Sequence, residues 1–166
     1  MPVGNRTAQG SGFSFWHDLS LLPEGKHYIV ISASDTNSLP GDAVTVWFTI
    51  DKNPPSLTIT APISGTVTKD DYTITGSATD AMGIKSITAT RSFNAGAPAA
   101  VPVTVTVTNA TTSALSIPQT GLAEGSYQYE ITALDNLNKP FTATLTVTVD
   151  KTAPGLTIST PVAASW

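Results

Sequence analysis

From Pro55 to Asp150 apolar and polar residues alternate with a period of two over most of the chain. That period belongs to half-buried β-strands and not to helices. In residues 126–134, Tyr127, Tyr129, Ile131 and Ala133 share one face, while Gln128, Glu130 and Thr132 share the other. Residues 141–149 place Ala143, Leu145, Val147 and Val149 inward and Thr142, Thr144, Thr146 and Thr148 outward. A slip of one residue would invert either strand, so the register is well specified. The same pattern predicts strands at 56–60, 72–79, 84–91, 101–108 and 113–117. Turn-forming residues separate them at Pro62 to Gly65, Asp80 to Gly83, Asn94 to Ala97, Gly121 to Gly125 and Asp135 to Pro140. Seven short strands in about 100 residues predict an all-β fold, an antiparallel sandwich.

An internal repeat sets the organisation. Residues 22–35, LPEGKHYIVISASD, return as LAEGSYQYEITALD at 122–135, and residues 48–62, FTIDKNPPSLTITAP, return as VTVDKTAPGLTISTP at 147–161. Leu22, Glu24, Gly25, Ile31, Ala33 and Asp35 thus recur as Leu122, Glu124, Gly125, Ile131, Ala133 and Asp135. A period near 100 residues is too long for a solenoid and suits one small sandwich. Each DK-x-x-P stretch reads as a linker, because proline has no N–H to give to a ladder and the strand before it must stop.

The expected division is residues 1–51 as the C-terminal half of a preceding unit, 52–54 as a linker, 55–150 as one complete domain, and 151–166 as a linker with the first strand of a following unit. Three strands in the first part, carrying Phe13, Phe15, Ile29, Ile31, Val46 and Phe48, cannot bury that face alone. Self-association through this half-domain is therefore expected, with the completing strands ahead of residue 1 in a longer protein.

Composition narrows the function classes. Charged residues are 12% of the chain, and the net charge is -4 with 8 Lys plus Arg. Such a chain has no basic footprint for nucleic acid or anionic lipid. The absence of cysteine removes disulfides, thiolate nucleophiles and Cys-type metal sites. No apolar run of about 18 residues and no signal-peptide pattern is present, so no membrane segment is expected in this stretch.

The frame P-x-L-x-I-x-x-P, G-x-V, TGSATD-x-x-G-I-x-S-I, L-x-E-G-x-Y-x-Y-x-I-x-A-x-D and V-x-V-D-K-x-x-P resembles the bacterial immunoglobulin-like (Big) repeats. Here it is carried by Pro55, Leu57, Ile59, Pro62, Gly65, Val67, Gly76, Asp80, Gly83, Gly125, Tyr127, Ala133, Asp135, Asp150 and Pro154. The resemblance implies an immunoglobulin-like β-sandwich in tandem array, located outside the cell or on the bacterial surface. It implies a stalk or spacer of an adhesin-like protein whose partners are the neighbouring domains. A carbohydrate- or protein-binding module and an accessory domain of a secreted hydrolase are the alternatives. One departure is the turn after residue 135, Asp135-Asn136-Leu137-Asn138-Lys139, which lacks the usual glycine.

Catalysis is not expected. There is no G-x-S-x-G, no H-E-x-x-H and no phosphate-cradling glycine loop, and the histidines are His17 and His27 alone. The repeat puts His27 at the position of Tyr127, the tyrosine that anchors the corner of such sandwiches. Topology brings the loops holding Asp80 and Asp135 to the end of the domain that receives the linker with Asp51 and Asn53. Converging carboxylate and amide oxygens suit calcium between domains; the competing reading is that each Asp caps its own turn. Trp47, on the outward face of its strand, is the candidate for stacking on a sugar or a partner protein; the competing reading is that it covers the neighbouring strand.

Overall fold

The computed structural model describes residues 18–157, so Phe13, Phe15, Trp16, His17 and Trp166 lie outside the described residues. The chain divides into two compact units, one ending at Pro54 and one beginning at Pro55.

Among the described residues the first unit is a two-stranded antiparallel ribbon of β1 (Gly25–Ile31) and β2 (Val44–Ile50), with Gly25 opposite Ile50 and Ile31 opposite Val44. His27, Ile29 and Ile31 share one face with Phe48, Val46 and Val44, as the alternation requires. Val44 and Val46 are nonetheless exposed.

The second unit is a sandwich of two sheets. Its strands are β3 (Ser56–Ala61), β4 (Thr66–Thr68), β5 (Tyr72–Thr79), β6 (Ile84–Phe93), β7 (Ala99–Val101), β8 (Thr104–Asn109), β9 (Thr112–Gln119), β10 (Gly125–Asp135) and β11 (Pro140–Val149). One sheet has the order β4-β11-β10-β6-β7 and the other β3-β5-β9-β8. This is the immunoglobulin-like arrangement that the spacing predicted. The inward sets pack together: Tyr129, Ile131, Ala133 and Val147 from one sheet and Ile74, Ala78 and Ile117 from the other are fully buried. Burial of such side chains is worth roughly 1.5–3 kcal/mol each, which is why the alternation decides the register.

The structure corrects the seven-strand expectation in two places. The single strand expected at 101–108 is divided at Pro102: β7 pairs with β6 in one sheet, and β8 pairs with β9 in the other. Proline cannot donate to a ladder, and the chain changes sheets there. The second addition is β4, three residues that run parallel to β11, with Thr66 opposite Val147 and Thr68 opposite Val149. Thr66 Oγ1 donates to Ile63 O at 2.7 Å and Gly65 N donates to Thr146 O at 2.7 Å, which bend the chain from one sheet to the other.

Candidate functional site

The repeated segments form the same local device twice. Tyr127, at the start of β10, is 4% exposed, and its hydroxyl donates to Ala123 O at 2.9 Å. His27, at the matching place in β1, is buried and lies 2.8 Å from Pro23 O through Nε2. A carbonyl can only accept, so the proton of neutral His27 sits on Nε2. A histidine therefore makes the four-residue backward bond of the tyrosine, and it stacks on Phe48 with ring centroids 5.7 Å apart. Its task is structural.

Gly25 and Gly125 open these strands at φ 122° and 146°. A Cβ on Gly125 would stand 2.5 Å from Phe93 Cε2 and 2.8 Å from Asn94 Oδ1, so no other residue fits there without displacement.

The glutamate before each glycine holds the chain that leaves the paired strand. In the first unit Glu24 Oε1 accepts from Lys52 N at 2.8 Å, Asn53 N at 2.9 Å and Asn53 Nδ2 at 2.7 Å, while Lys52 Nζ donates to Ser20 O. In the second unit Glu124 Oε2 accepts from Thr152 Oγ1 at 2.7 Å and Lys151 N at 3.3 Å, and Lys151 Nζ donates to Leu122 O at 2.7 Å. A carboxylate that collects main-chain N–H groups past the strand end makes charge-assisted bonds, the stronger kind. The sequence reading missed this role. The signal was present in the joint recurrence of E-G and D-K at both ends of the repeat.

The loops expected to carry the metal ligands are ordered by their own aspartates. Asp80 Oδ1 accepts from Met82 N at 2.7 Å, and Gly83 N donates to Asp80 O. Asp135 Oδ1 accepts from Leu137 N and Lys139 N, both at 2.8 Å. The first unit repeats the latter turn, with Asp35 Oδ1 accepting from Asn37 N and Leu39 N at 2.8 Å. Asn138 at φ 66° and Ser38 at φ 63° supply the left-handed residue for which a glycine is usual. Asn136 Nδ2 donates to Met82 O at 2.6 Å and ties the two loops of the second unit together.

Of the four expected calcium ligands, Asp80 and Asp135 lie in the second unit with carboxylate oxygens within 4.8 Å of one another. Asp51 and Asn53 belong to the first unit, where the Asn53 amide is held by Glu24. Trp47 is 56% exposed. Its ring lies 4.9 Å from that of its cross-strand partner Tyr28, and Lys26 Nζ sits 4.7 Å from the ring centroid.

A polar network closes the other end of the core. Tyr72 and Tyr129 hydroxyls are 2.7 Å apart, Tyr129 donates to Gln119 Oε1 at 2.9 Å, and Arg91 Nη1 donates to the same oxygen at 2.8 Å. Burial, followed by the hydrogen bond to Tyr129, pushes the Tyr72 hydroxyl far above the ordinary tyrosine range. Burial likewise raises that of Tyr129. Both hydroxyls stay protonated and act as linkers between the sheets. Among the described residues no helix is long and apolar enough to cross a membrane.

Among solved structures the chain is similar to PcoC, a methionine-rich copper resistance protein from Escherichia coli. The identity is 18%, with a TM-score of 0.40 over 58% of this chain and 98% of that one. It is also similar to murine CRIg at 12% identity and a TM-score of 0.32, over 57% of this chain and 95% of that one. Among curated proteins no relative matches. Residues 11–112 match the family described as bacterial Ig-like domain (group 3). That stretch is more than half of the chain, and the all-β fold agrees with it: the chain belongs to the bacterial Ig-like domain (group 3) family.

Proposed function

We propose that the chain is a structural spacer, a stretch of tandem Ig-like domains in an adhesin-like protein on the bacterial surface or secreted from the cell. The observation that carries this reading is the glutamate clamp made twice, by Glu24 on Lys52 and Asn53 and by Glu124 on Lys151 and Thr152. A device that holds the outgoing chain at each strand end serves a protein in which one unit follows another. The spacer's work is mechanical: ladder bonds carry load, and proline-bearing connections limit bending. Brief protease treatment and antibody labelling of intact bacteria test the placement. Label found only after lysis would sink it.

A binding role is the second reading, favoured by the exposed Trp47 against half-buried Tyr28, with Lys26 beside the tryptophan. Tryptophan and tyrosine present large rigid faces to sugars and to partner proteins. A glycan array with the wild-type chain and Trp47→Ala separates the two readings, because a spacer gives no tryptophan-dependent signal. We also infer that the exposed Val44 and Val46 edge of the first unit draws two copies together at high concentration. Light scattering that reports a monomer throughout would refute that pairing.

A further inference from the structure

The four-stranded sheet ends on one side at β8, whose only ladder among the described residues is the one to β9. That pairing sets Val105 opposite Leu115 and Val107 opposite Ser113, both buried, so the two valines lie on the inner side of the sheet. They are nevertheless uncovered. Val103, just ahead of the strand, packs half-buried against the core, whereas Val105 is 39% exposed and Val107 70% exposed, so the strand runs off the core as it proceeds. A row of unpaired N–H and C=O groups beside an apolar stripe is a template for a further strand. Folded proteins guard against it with charges, prolines, bulges or very short edges.

The other three edges of the sandwich carry such guards. β4 and β7 are three residues each, and Pro98 and Pro102 flank β7. β3 lies between Pro55 and Pro62, has an irregular step between Ile59 and Ala61, and keeps its Leu57 buried. β8 pairs regularly from Thr104 to Val107, and its one irregular step comes after Val107. The strands β3, β5, β8 and β9 hold no Asp, Glu, Lys or Arg, in a chain of net charge -4. A like copy can therefore meet this edge without setting like charges against each other.

The order of residues along the edge selects its occupant. Residues 103–107 read Val-Thr-Val-Thr-Val, the same in both directions. Turned about a two-fold axis at Val105, the segment sets valine against valine and threonine against threonine at every position, which is what an isologous contact requires. A slip of one residue would set valine against threonine. We propose that β8 is the docking edge for β8 of a second copy, paired antiparallel about Val105, so that two four-stranded sheets join into one of eight. The valines of both copies then form one stripe on the inner side of the seam, where β-branched cross-strand pairs add stability. So narrow a seam falls in the weak class of interfaces, below about 1,200 Å². The dimer therefore belongs to concentrated protein. This edge is separate from the Val44 and Val46 edge of the first unit, and the pairing holds whether the chain is a spacer or a binding module.

The test is sedimentation velocity of the full chain over rising concentration, with hydrogen exchange read at β8. The wild type is expected to shift from monomer to dimer, and the exchange of alternate amides in residues 103–107 to slow as the dimer fills. Val107→Lys puts a charge on the valine stripe at an exposed place, where the fold tolerates it, and is expected to abolish the dimer. Val46→Lys, in the first unit, is expected to leave it intact. Because the chain has no cysteine, Val105→Cys reports the axis directly. Mild oxidation should link its dimer several-fold faster than that of Val67→Cys, whose valine is 64% exposed on β4. A chain that stays monomeric with unchanged exchange overturns the proposal, whether or not the edge takes a strand of another protein. So does a dimer that survives Val107→Lys, a dimer that Val46→Lys abolishes, or equal cross-linking by the two cysteine variants.

Discussion

Tyr72 on β5 and Tyr129 on β10 meet hydroxyl to hydroxyl at 2.7 Å across the two sheets, with their rings edge to face at 6.5 Å. Tyr129 stands two residues after the corner tyrosine Tyr127, and in antibody domains that place holds the cysteine of the inter-sheet disulfide. Here, in a chain without cysteine, a hydrogen-bonded chain through Gln119 to Arg91 makes the cross-link. It needs no oxidising compartment.

Tyr129→Phe removes the donor to Gln119 and the acceptor for Tyr72 at one stroke. Its cost is expected at about 1–3 kcal/mol of unfolding free energy, since buried polar partners are left unmatched. Chemical denaturation reads it directly, and a loss below about 0.5 kcal/mol would mean the network contributes no net stability.

Alkali should unfold this protein through the same pair. Both hydroxyls have folded-state values raised above the ordinary 10.0, by burial first. Between the unfolded and folded values the unfolded chain has lost protons that the native chain keeps, so stability falls as pH rises. The expected curve is level in this respect up to about pH 10 and declines above it. The double variant Tyr72→Phe with Tyr129→Phe should show a shallower alkaline decline in melting temperature.

Gly76, in the middle of β5, has Thr58 O where a Cβ would stand, at 2.3 Å. The obstacle is backbone beside the irregular pairing of Ile59 and Ala61 and cannot rotate away. Gly76→Ala is expected to cost about 1–3 kcal/mol. Unchanged denaturant midpoints would show that β3 yields more easily than this contact implies.

Glu24→Ala should release the amides of Lys52 and Asn53, leaving the second unit as it is. Hydrogen exchange by NMR is expected to accelerate at those two amides, with no change at Ile131 or Val147. Matching acceleration in both units would show instead that the substitution acts through global unfolding.

Much of the second unit was legible in the residues themselves. Tyr127, Ile131, Leu145 and Val147 were assigned to the core because alternation on a pleated strand permits one buried set, and any slip would bury threonines. The span 72–79 coincides with β5 for that reason. The equivalence of His27 with Tyr127 came from the repeat alone, because a common sequence frame fixes a common corner. Local chemistry decides such features, and it is written in neighbouring residues.

Tertiary structure alone decided the rest. Nothing in Thr66-Val67-Thr68 distinguishes a strand from a loop; it becomes β4 because β11 offers a free ladder edge beside it. The division at Pro102 depends on which sheet lies within reach on either side. Tyr72, Arg91, Gln119 and Tyr129 are scattered over four strands, so only packing could bring them into one network. The state of Asp135 Oδ2 has the same origin: the sequence put an aspartate at a turn, but only the fold decides which of its two buried oxygens finds a hydrogen-bond partner.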